Sequence, residues 1–296
     1  MSNTKSYLSL SDYLVRRFGE KVYKLSLPGG TTCPNRDGTL GDRGCIFCGE
    51  QGSGEFSANK RLSVTQQIEA GKLQVAGKFK GSKYIAYFQS FTSTYGDLAE
   101  MRARFFEAAR HPDIVAVSVA TRPDCLGGEV LKILSELAPI KPLFVELGLQ
   151  TIHESTAKYI RRGYDLPVFV EAVQNLKAIG AEVVVHVILG LPFESRADML
   201  ETVKYVADSG ADGIKLQLLH VLKGTDLEKE YLAGKFETLT LEEYVEIVCE
   251  ALALLPSGMV VHRLTGDGDK RLLVAPLWSA DKKRVMQRQQ EMLAHL

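Results

Sequence analysis

Runs rich in β-branched and aromatic residues alternate with helix-periodic runs through most of the chain, and this alternation restricts the fold more than any other feature. The strand-like runs are KVYKLSLPG (21–29), YIAYFQS (84–90), VAVSVATRP (115–123), LFVELGLQT (143–151), EVVVHVILGLP (182–192) and GIKLQLLHVL (213–222). Between them, apolar residues recur at helical spacing over 97–110, 127–138, 167–180 and 195–210. Strands separated by helices of that length predict βα units in series and one parallel sheet.

The faces of the strands decide what kind of sheet. A sheet covered by helices on both sides reads as nearly continuous apolar residues. Here, polar or small residues recur at period two: Glu146, Gly148 and Gln150; Ser118, Ala120, Arg122 and Asp124; Lys215 and Gln217; Tyr87 and Gln89. One polar face predicts a complete or partial barrel, whose lumen and carboxyl-end rim hold a site. The expectation is an α/β fold, a partial (β/α)6 TIM-type barrel over residues 1–225 that includes an N-terminal segment. After 222 the pattern changes to a helix near 240–256, a strand at 259–267 and a helix at 281–296, which predicts an α+β C-terminal extension, 226–296, packed on the barrel.

Charge and targeting signals exclude several classes. The 36 basic and 36 acidic residues balance, so no global field points to nucleic acid or membrane. The first twenty residues lack a continuous apolar segment, and the longest apolar run, 183–191, is too short to span a bilayer. A cytoplasmic location is expected. Five cysteines in a chain of 296 residues argue against a disulfide framework and for metal, redox or core roles.

Three of those cysteines, Cys33, Cys45 and Cys48, follow the first strand at Cys-x11-Cys-x2-Cys spacing in a glycine-rich loop, with Phe47 directly before the last. Free core thiols, a zinc site completed by Cys125 or a histidine, and a redox pair are the simpler readings. Structural zinc closes with four ligands, and a redox pair leaves Cys33 unused. Three thiolates with an open fourth position suit a [4Fe–4S] cluster.

Four further segments stand in order: 84-YIAYFQSFTST-94, 118-SVATRPDCL-126, 143-LFVELGLQTIHESTAKYIRRGYD-165 and 186-HVILGLPFES-195. With the three cysteines they resemble the radical S-adenosylmethionine (SAM) superfamily. The branch resembled contains the catalytic subunit of Elongator and oxygen-independent coproporphyrinogen oxidase, and the likeness is closest to the YhcC/YtqA-like bacterial proteins. It spans residues 21 to about 225, and nearly the whole chain for that last group.

The resemblance implies a [4Fe–4S] cluster on Cys33, Cys45 and Cys48, with SAM as the second cofactor filling the open position. Glu146 and Gln150 belong to a segment similar to ExGxQS, with Thr151 in place of Ser. Gln150 and Arg162 are implied to contact SAM, Arg162 through the methionine carboxylate, which a guanidinium suits. Gln89, Ser90 and Thr92 replace the GGE motif that holds the methionine amino group. Gly190 is implied to bring backbone to the adenine and Ile188 to pack on it, while His186 stands at the ribose position. In TRPD, Ala120 replaces a more usual acidic residue and Arg122 with Asp124 reads as a rim pair. Cys125 and Cys249 read as packed thiols.

For substrate, lumen and rim candidates are Lys24, Lys215, Gln217, His220, His262 and Arg263. The groups Arg16/Arg17, Lys60/Arg61, Lys158/Arg161/Arg162 and Lys282/Lys283/Arg284/Arg288 offer a phosphate-binding face. The resemblance implies tRNA as a partner, a reducing partner such as flavodoxin or ferredoxin, and radical tailoring of the C5 substituent of wobble uridine, from carboxymethylaminomethyl to aminomethyl. A radical enzyme for a small or porphyrin-like molecule and a noncatalytic zinc or iron–sulfur module are the alternatives.

Overall fold

The structure, a computed structural model, describes residues 7–49, 52, 62–266 and 268–294. A short strand, β1 (Leu8–Ser9), leads into helix α1 (Leu10–Phe18), whose first turn Ser9 caps by accepting from Asp12 N–H. The six expected strands follow as β2 (Val22–Leu27), β3 (Lys83–Phe88), β4 (Ile114–Thr121), β5 (Leu143–Gln150), β6 (Glu182–Leu189) and β7 (Gly213–Leu218). Helices α2 (Val64–Val75), α3 (Leu98–Arg110), α4 (Gly128–Leu137), α5 (Glu154–Tyr159), α6 (Leu166–Ala178) and α7 (Arg196–Asp208) connect them. The expected strands overran their carboxyl ends because those residues turn into loops; β6 stops where Gly190 takes φ +86°.

Beyond β7 lie β8 (Val221–Leu222), α8 (Asp226–Leu232), α9 (Leu241–Leu254), β9 (Val260–Arg263), β10 (Leu273–Ala275) and α10 (Lys282–Leu293). The main sheet runs β1-β9-β7-β6-β5-β4-β3-β2, with every pairing parallel. The segment after 225 therefore supplies a strand to the main sheet, β9 beside β7, as well as packing helices on it. β8 and β10 form a separate antiparallel pair.

Side-chain parity sorts the sheet into distinct layers. Outward residues such as Leu25, Ala86, Val117, Val145, Val185 and Leu216 meet the helices in the largest apolar cluster, which also takes in Tyr244, Val248 and Val285 from α9 and α10. Inward residues near the amino ends, Ile85, Ala116, Phe144 and Val184, close on Leu14 of α1 and plug the bottom of the barrel. At the opposite end Ile46, Ile160, Ile188, Leu191, Leu219 and Leu227 form a third cluster that binds the cysteine loop to β6, β7 and α8. Between plug and rim, the lumen is polar. No described helix is long and apolar enough to cross a membrane.

Candidate functional site

Glu146 sits at the centre of the lumen, fully buried, with donors from five other strands closing on its two oxygens. Lys24 of β2 and Ser118 of β4 (2.7 Å) reach Oε1; Tyr87 of β3 (2.8 Å), His186 of β6 (2.8 Å) and Lys215 of β7 reach Oε2. A sheet that curls enough to bring β2 and β7 to one carboxylate on β5 explains why period two put these residues on one face. Burial would raise the Glu146 pKa, but Lys215, Lys24 and His186 outweigh it and hold the carboxylate well below its ordinary value.

One buried anion does not balance the buried Lys215 and the half-buried Lys24, His186 and Arg263 around it. The excess is shed as protons: burial, with Lys24 and Arg263 nearby, brings Lys215 down to about 7 despite its pairing with Glu146. Burial and Lys215 likewise bring His186 to about 4. His262 lies lower, edge-on to Phe144 with ring centroids 6.0 Å apart, and burial pushes it well below its usual range. Arg263 is register-paired with Lys215. Glu146 and His186, expected at the cofactor, thus share one network with Lys24 and Lys215, expected at the substrate, and this network forms the floor of the lumen.

The cysteine loop lies above it, following β2. Asn35 fixes this loop: its Nδ2 donates to Arg161 O (2.6 Å) and approaches Cys45 Sγ (3.4 Å). Arg36 donates to Cys48 O (3.0 Å) and Gly49 O (2.6 Å), so its guanidinium caps the turn that carries the last thiol. Ile46 bonds Ile160 O through its N–H and receives Leu227 N–H at its own carbonyl, which fastens the loop to α8. Cys48 as a hydrogen-bond partner lowers Cys45 to about 6 against the effect of burial, with Asn35, Arg122 and Arg36 adding to it. The same hydrogen bond and burial raise Cys48 well above its ordinary value, so of this pair Cys45 is the one favoured as thiolate, the form that binds iron.

Three thiols around one zinc, at about 2.3 Å each, would lie within about 4 Å of one another. Among the described residues, Cys33, Cys45 and Cys48 are not a set of mutually close ligand atoms within 4.8 Å. Three thiols on one loop, with Cys45 faced by Asn35, Arg122 and Arg36, form a donor set that suits a [4Fe–4S] cluster with one open iron.

The loops that close the rim are strained in a consistent place. Phe91, Gln150, Arg161 and Phe193 are the described non-glycine residues with positive φ, and all follow carboxyl ends of strands or the cysteine-loop contact. Gln150 ends β5 after a register shift that begins at Gly148, a bulge that turns its side chain away from the regular pleat. Its Nε2 lies 3.0 Å from where a Cβ on Gly148 would sit, and its buried Oε1 has no partner among the described residues. Thr31 Oγ1, beside the cysteine loop, is likewise buried without a partner there. Two orphaned oxygens at the rim are acceptors for a ligand that brings N–H or ammonium groups.

The remaining expected residues divide between this rim and internal structure. Ser90 and Thr92 are buried, and Thr92 N–H bonds Thr32 O, tying the loop with Gln89, Ser90 and Thr92 to the cysteine loop. Ile188 lies in the rim cluster with Ile46, and Gln217, register-paired with it, is half-buried. Gly190 needs its missing Cβ because Leu239 stands 3.0 Å from that position. His220 packs against Gly266 and Gly268, away from Glu146. Arg162, expected to meet the methionine carboxylate of SAM, is engaged within the protein. At 2% exposure its Nε, Nη1 and Nη2 donate to Tyr164 O (2.9 Å), Thr151 O (2.7 Å) and Glu154 Oε1 (2.8 Å). Those bonds order the turn after α5. Arg122, bidentate on Asp124 (2.9 and 2.7 Å), is the guanidinium whose charge Cys33 and Cys45 feel.

Asp226 was missed: it draws Arg161 (2.8 Å) and Arg43 (3.0 Å) together across the cysteine loop. Asn35 and Arg36 were missed too, and only their closeness to Cys33 in sequence hinted at them. Lys60 and Arg61 lie outside the described residues.

Comparison with known proteins agrees with this arrangement. The model of the Radical SAM superfamily matches residues 31–206, and that of the Radical_SAM C-terminal domain matches 211–294. The chain is 46% identical over 286 residues to the uncharacterized protein YtqA of Bacillus subtilis, covering 96% of this chain and 89% of YtqA. It is 29% identical over 164 residues to a tRNA uridine(34) acetyltransferase of Methanocaldococcus jannaschii, covering 54% of this chain and 30% of that enzyme. The structure of Methanocaldococcus infernus Elp3 superposes with a TM-score of 0.67 at 18% identity, over 90% of this chain and 63% of that one, a likeness of fold.

Proposed function

Because the chain belongs to the radical SAM superfamily, whose members use a [4Fe–4S] cluster and SAM, we propose that it tailors the C5 substituent of wobble uridine in tRNA. The specific change takes carboxymethylaminomethyluridine to aminomethyluridine: SAM would serve as the two-electron oxidant at the carboxymethyl carbon, and water would then cleave the oxidised carbon–nitrogen bond, so that the two-carbon unit leaves as glyoxylate. When bound, cluster and SAM supply a 5'-deoxyadenosyl radical, which takes hydrogen from the substrate.

Cys33, Cys45 and Cys48 would hold the cluster, and the single observation that carries the enzymatic reading is their clasp above a lumen with a closed floor. Asn35 and Arg36 keep the thiols oriented. The plug at Leu14 and the network on Glu146 keep water from entering below, which protects reactive chemistry at the rim. Gln150 Oε1 and Thr31 Oγ1 would accept from the amino group or nucleoside of SAM. The relation to a tRNA uridine(34) acetyltransferase supports the nucleic-acid substrate, and the chain spans 30% of that enzyme.

Comparison of modified nucleosides in total tRNA from cells with and without the gene tests this. Accumulation of carboxymethylaminomethyluridine with loss of aminomethyluridine products is expected in the deletion. An unchanged wobble-uridine profile would remove the proposal.

A further inference from the structure

Phe193 combines two costs that nothing inside the protein offsets. The turn after β6, closed by Glu194 N–H on Leu191 O (3.2 Å), holds Phe193 at φ +70°, in the left-handed region. A side chain there costs roughly 1–2 kcal/mol relative to glycine. Burial does not return that energy, because the residue is 70% exposed. Glycine would satisfy the turn with less strain and remove an exposed aromatic surface.

The ring is nonetheless held in a defined way. It stands edge-on to Tyr159, with centroids 5.2 Å apart and planes at 72°. Tyr159 is itself fixed, its hydroxyl donating to Glu230 Oε2 at 2.7 Å and its body packed into the rim cluster. Basic groups surround this pair: Lys158 and Arg161 flank Tyr159 in sequence, and Asp226 gathers Arg161, Arg43 and Lys229. Asp226 pairs with three of these cations at once, and the Arg43 and Lys229 side chains nevertheless remain 61% and 75% exposed. Arg161 also bonds Gly44 O, which sets this cluster beside the loop that carries Cys45.

An aromatic ring fixed by a second ring and flanked by exposed cations suits a ligand that alternates planar bases with phosphates. We propose that Phe193 is a stacking platform for an unpaired nucleobase of the RNA substrate, with Arg43, Lys158 and Lys229 meeting its flanking phosphates. This rests on the tRNA reading above and specifies where the RNA docks. Stacking on an aromatic side chain contributes about 1–3 kcal/mol per base, and is insensitive to sequence because every base has a π face. Duplex RNA offers no such face, so single-stranded loops are selected.

The test uses the full chain with its cluster reconstituted, a synthetic anticodon stem–loop, and an RNA duplex of matched length as control. Phe193→Gly is expected to weaken stem–loop binding about tenfold, within the range for one lost stack. It should leave duplex binding and SAM affinity unchanged and raise the thermal midpoint, since glycine relieves the turn. Phe193→Trp should bind the stem–loop as the wild type does. Lys229→Ala should weaken both RNAs and flatten the dependence of affinity on salt by about one phosphate contact.

A wild-type protein that binds no stem–loop overturns the platform together with the tRNA reading. If the wild type binds and modifies RNA and Phe193→Gly does so equally well, only the platform fails. A fall in thermal midpoint would make the ring a structural prop, and a selective loss of SAM affinity would assign it to the adenine; either result overturns the proposal.

Discussion

Around Glu146, five side chains from five neighbouring strands converge on one carboxylate, whereas four residues further along β5 the Gln150 oxygen is buried without a partner among the described residues. Both regions face the same lumen. The floor is made by regular strands whose pleat aims each side chain, and its donors converge on one carboxylate. The rim is made by loops held in left-handed backbone at Phe91, Gln150, Arg161 and Phe193. A protein that keeps its strained non-glycine backbone at one end, and a carboxylate met by five donors at the other, has a supporting region and a reacting region.

Replacing the rim thiols should have the largest effect on activity with little effect on the fold. Cys45→Ala is expected to abolish iron loading and SAM cleavage to background, while changing the unfolding free energy of the iron-free chain by under about 1 kcal/mol. Iron analysis and denaturant unfolding of the same sample measure both. A large loss of stability would mean that the two regions are not separable.

The floor should behave in the opposite way. Glu146→Ala leaves Lys24 and Lys215 buried without their counter-charge, and about 3–5 kcal/mol of stability should be lost in urea unfolding. The triple replacement Lys24→Met, Glu146→Leu and Lys215→Met should recover most of that loss, because apolar groups of similar size remove the desolvation cost altogether. If the recovered protein still cleaves SAM, the floor is support alone; stable but inactive protein would assign it part of the chemistry.

Acid should expose the same network. His186 is held near 4 by burial and Lys215, below its ordinary 6.5, so the unfolded chain binds this proton first as pH falls. Its contribution to stability is therefore full above pH 6.5 and declines through the window from about 6.5 to about 4, by about 3 kcal/mol. His186→Asn removes that dependence, and the difference in unfolding free energy between wild type and variant should shift by this amount across the window. A difference that stays flat would contradict a neutral, buried His186.

Much of the floor was legible in the sequence, and physical regularity is the reason. Alternation along a strand placed Glu146, Ser118, Tyr87 and Lys215 on the inner face before any contact was known, since period two survives wherever the pleat does, whereas His186 was singled out by resemblance and Lys24 as a lumen or rim candidate. The thiols were legible by spacing. What surrounds them was not: the bonds of Arg162 to Thr151, Glu154 and Tyr164 depend on a turn that motif matching does not show. Phe193 gave no signal either, because its significance lies in a backbone angle. Strand β9 was expected, but its place beside β7 depends on long-range pairing that local periodicity does not carry.

The smallest change tests the bulge that joins floor to rim. Gly148→Ala puts a Cβ 3.0 Å from Gln150 Nε2, so the amide must shift by a few tenths of an ångström. Stability should fall by no more than about 1 kcal/mol while SAM affinity falls severalfold. Equal affinity in the two proteins would separate Gln150 from SAM.

Anaerobic reconstitution with iron and sulfide, followed by reduction in the presence of SAM, measures the central claim most directly. The wild type should take up iron and sulfide in equal amounts, develop a broad absorption near ~400 nm and release 5'-deoxyadenosine, while the Cys33, Cys45 and Cys48 variants do none of these. A single tightly held zinc with no 5'-deoxyadenosine from correctly folded protein would contradict it.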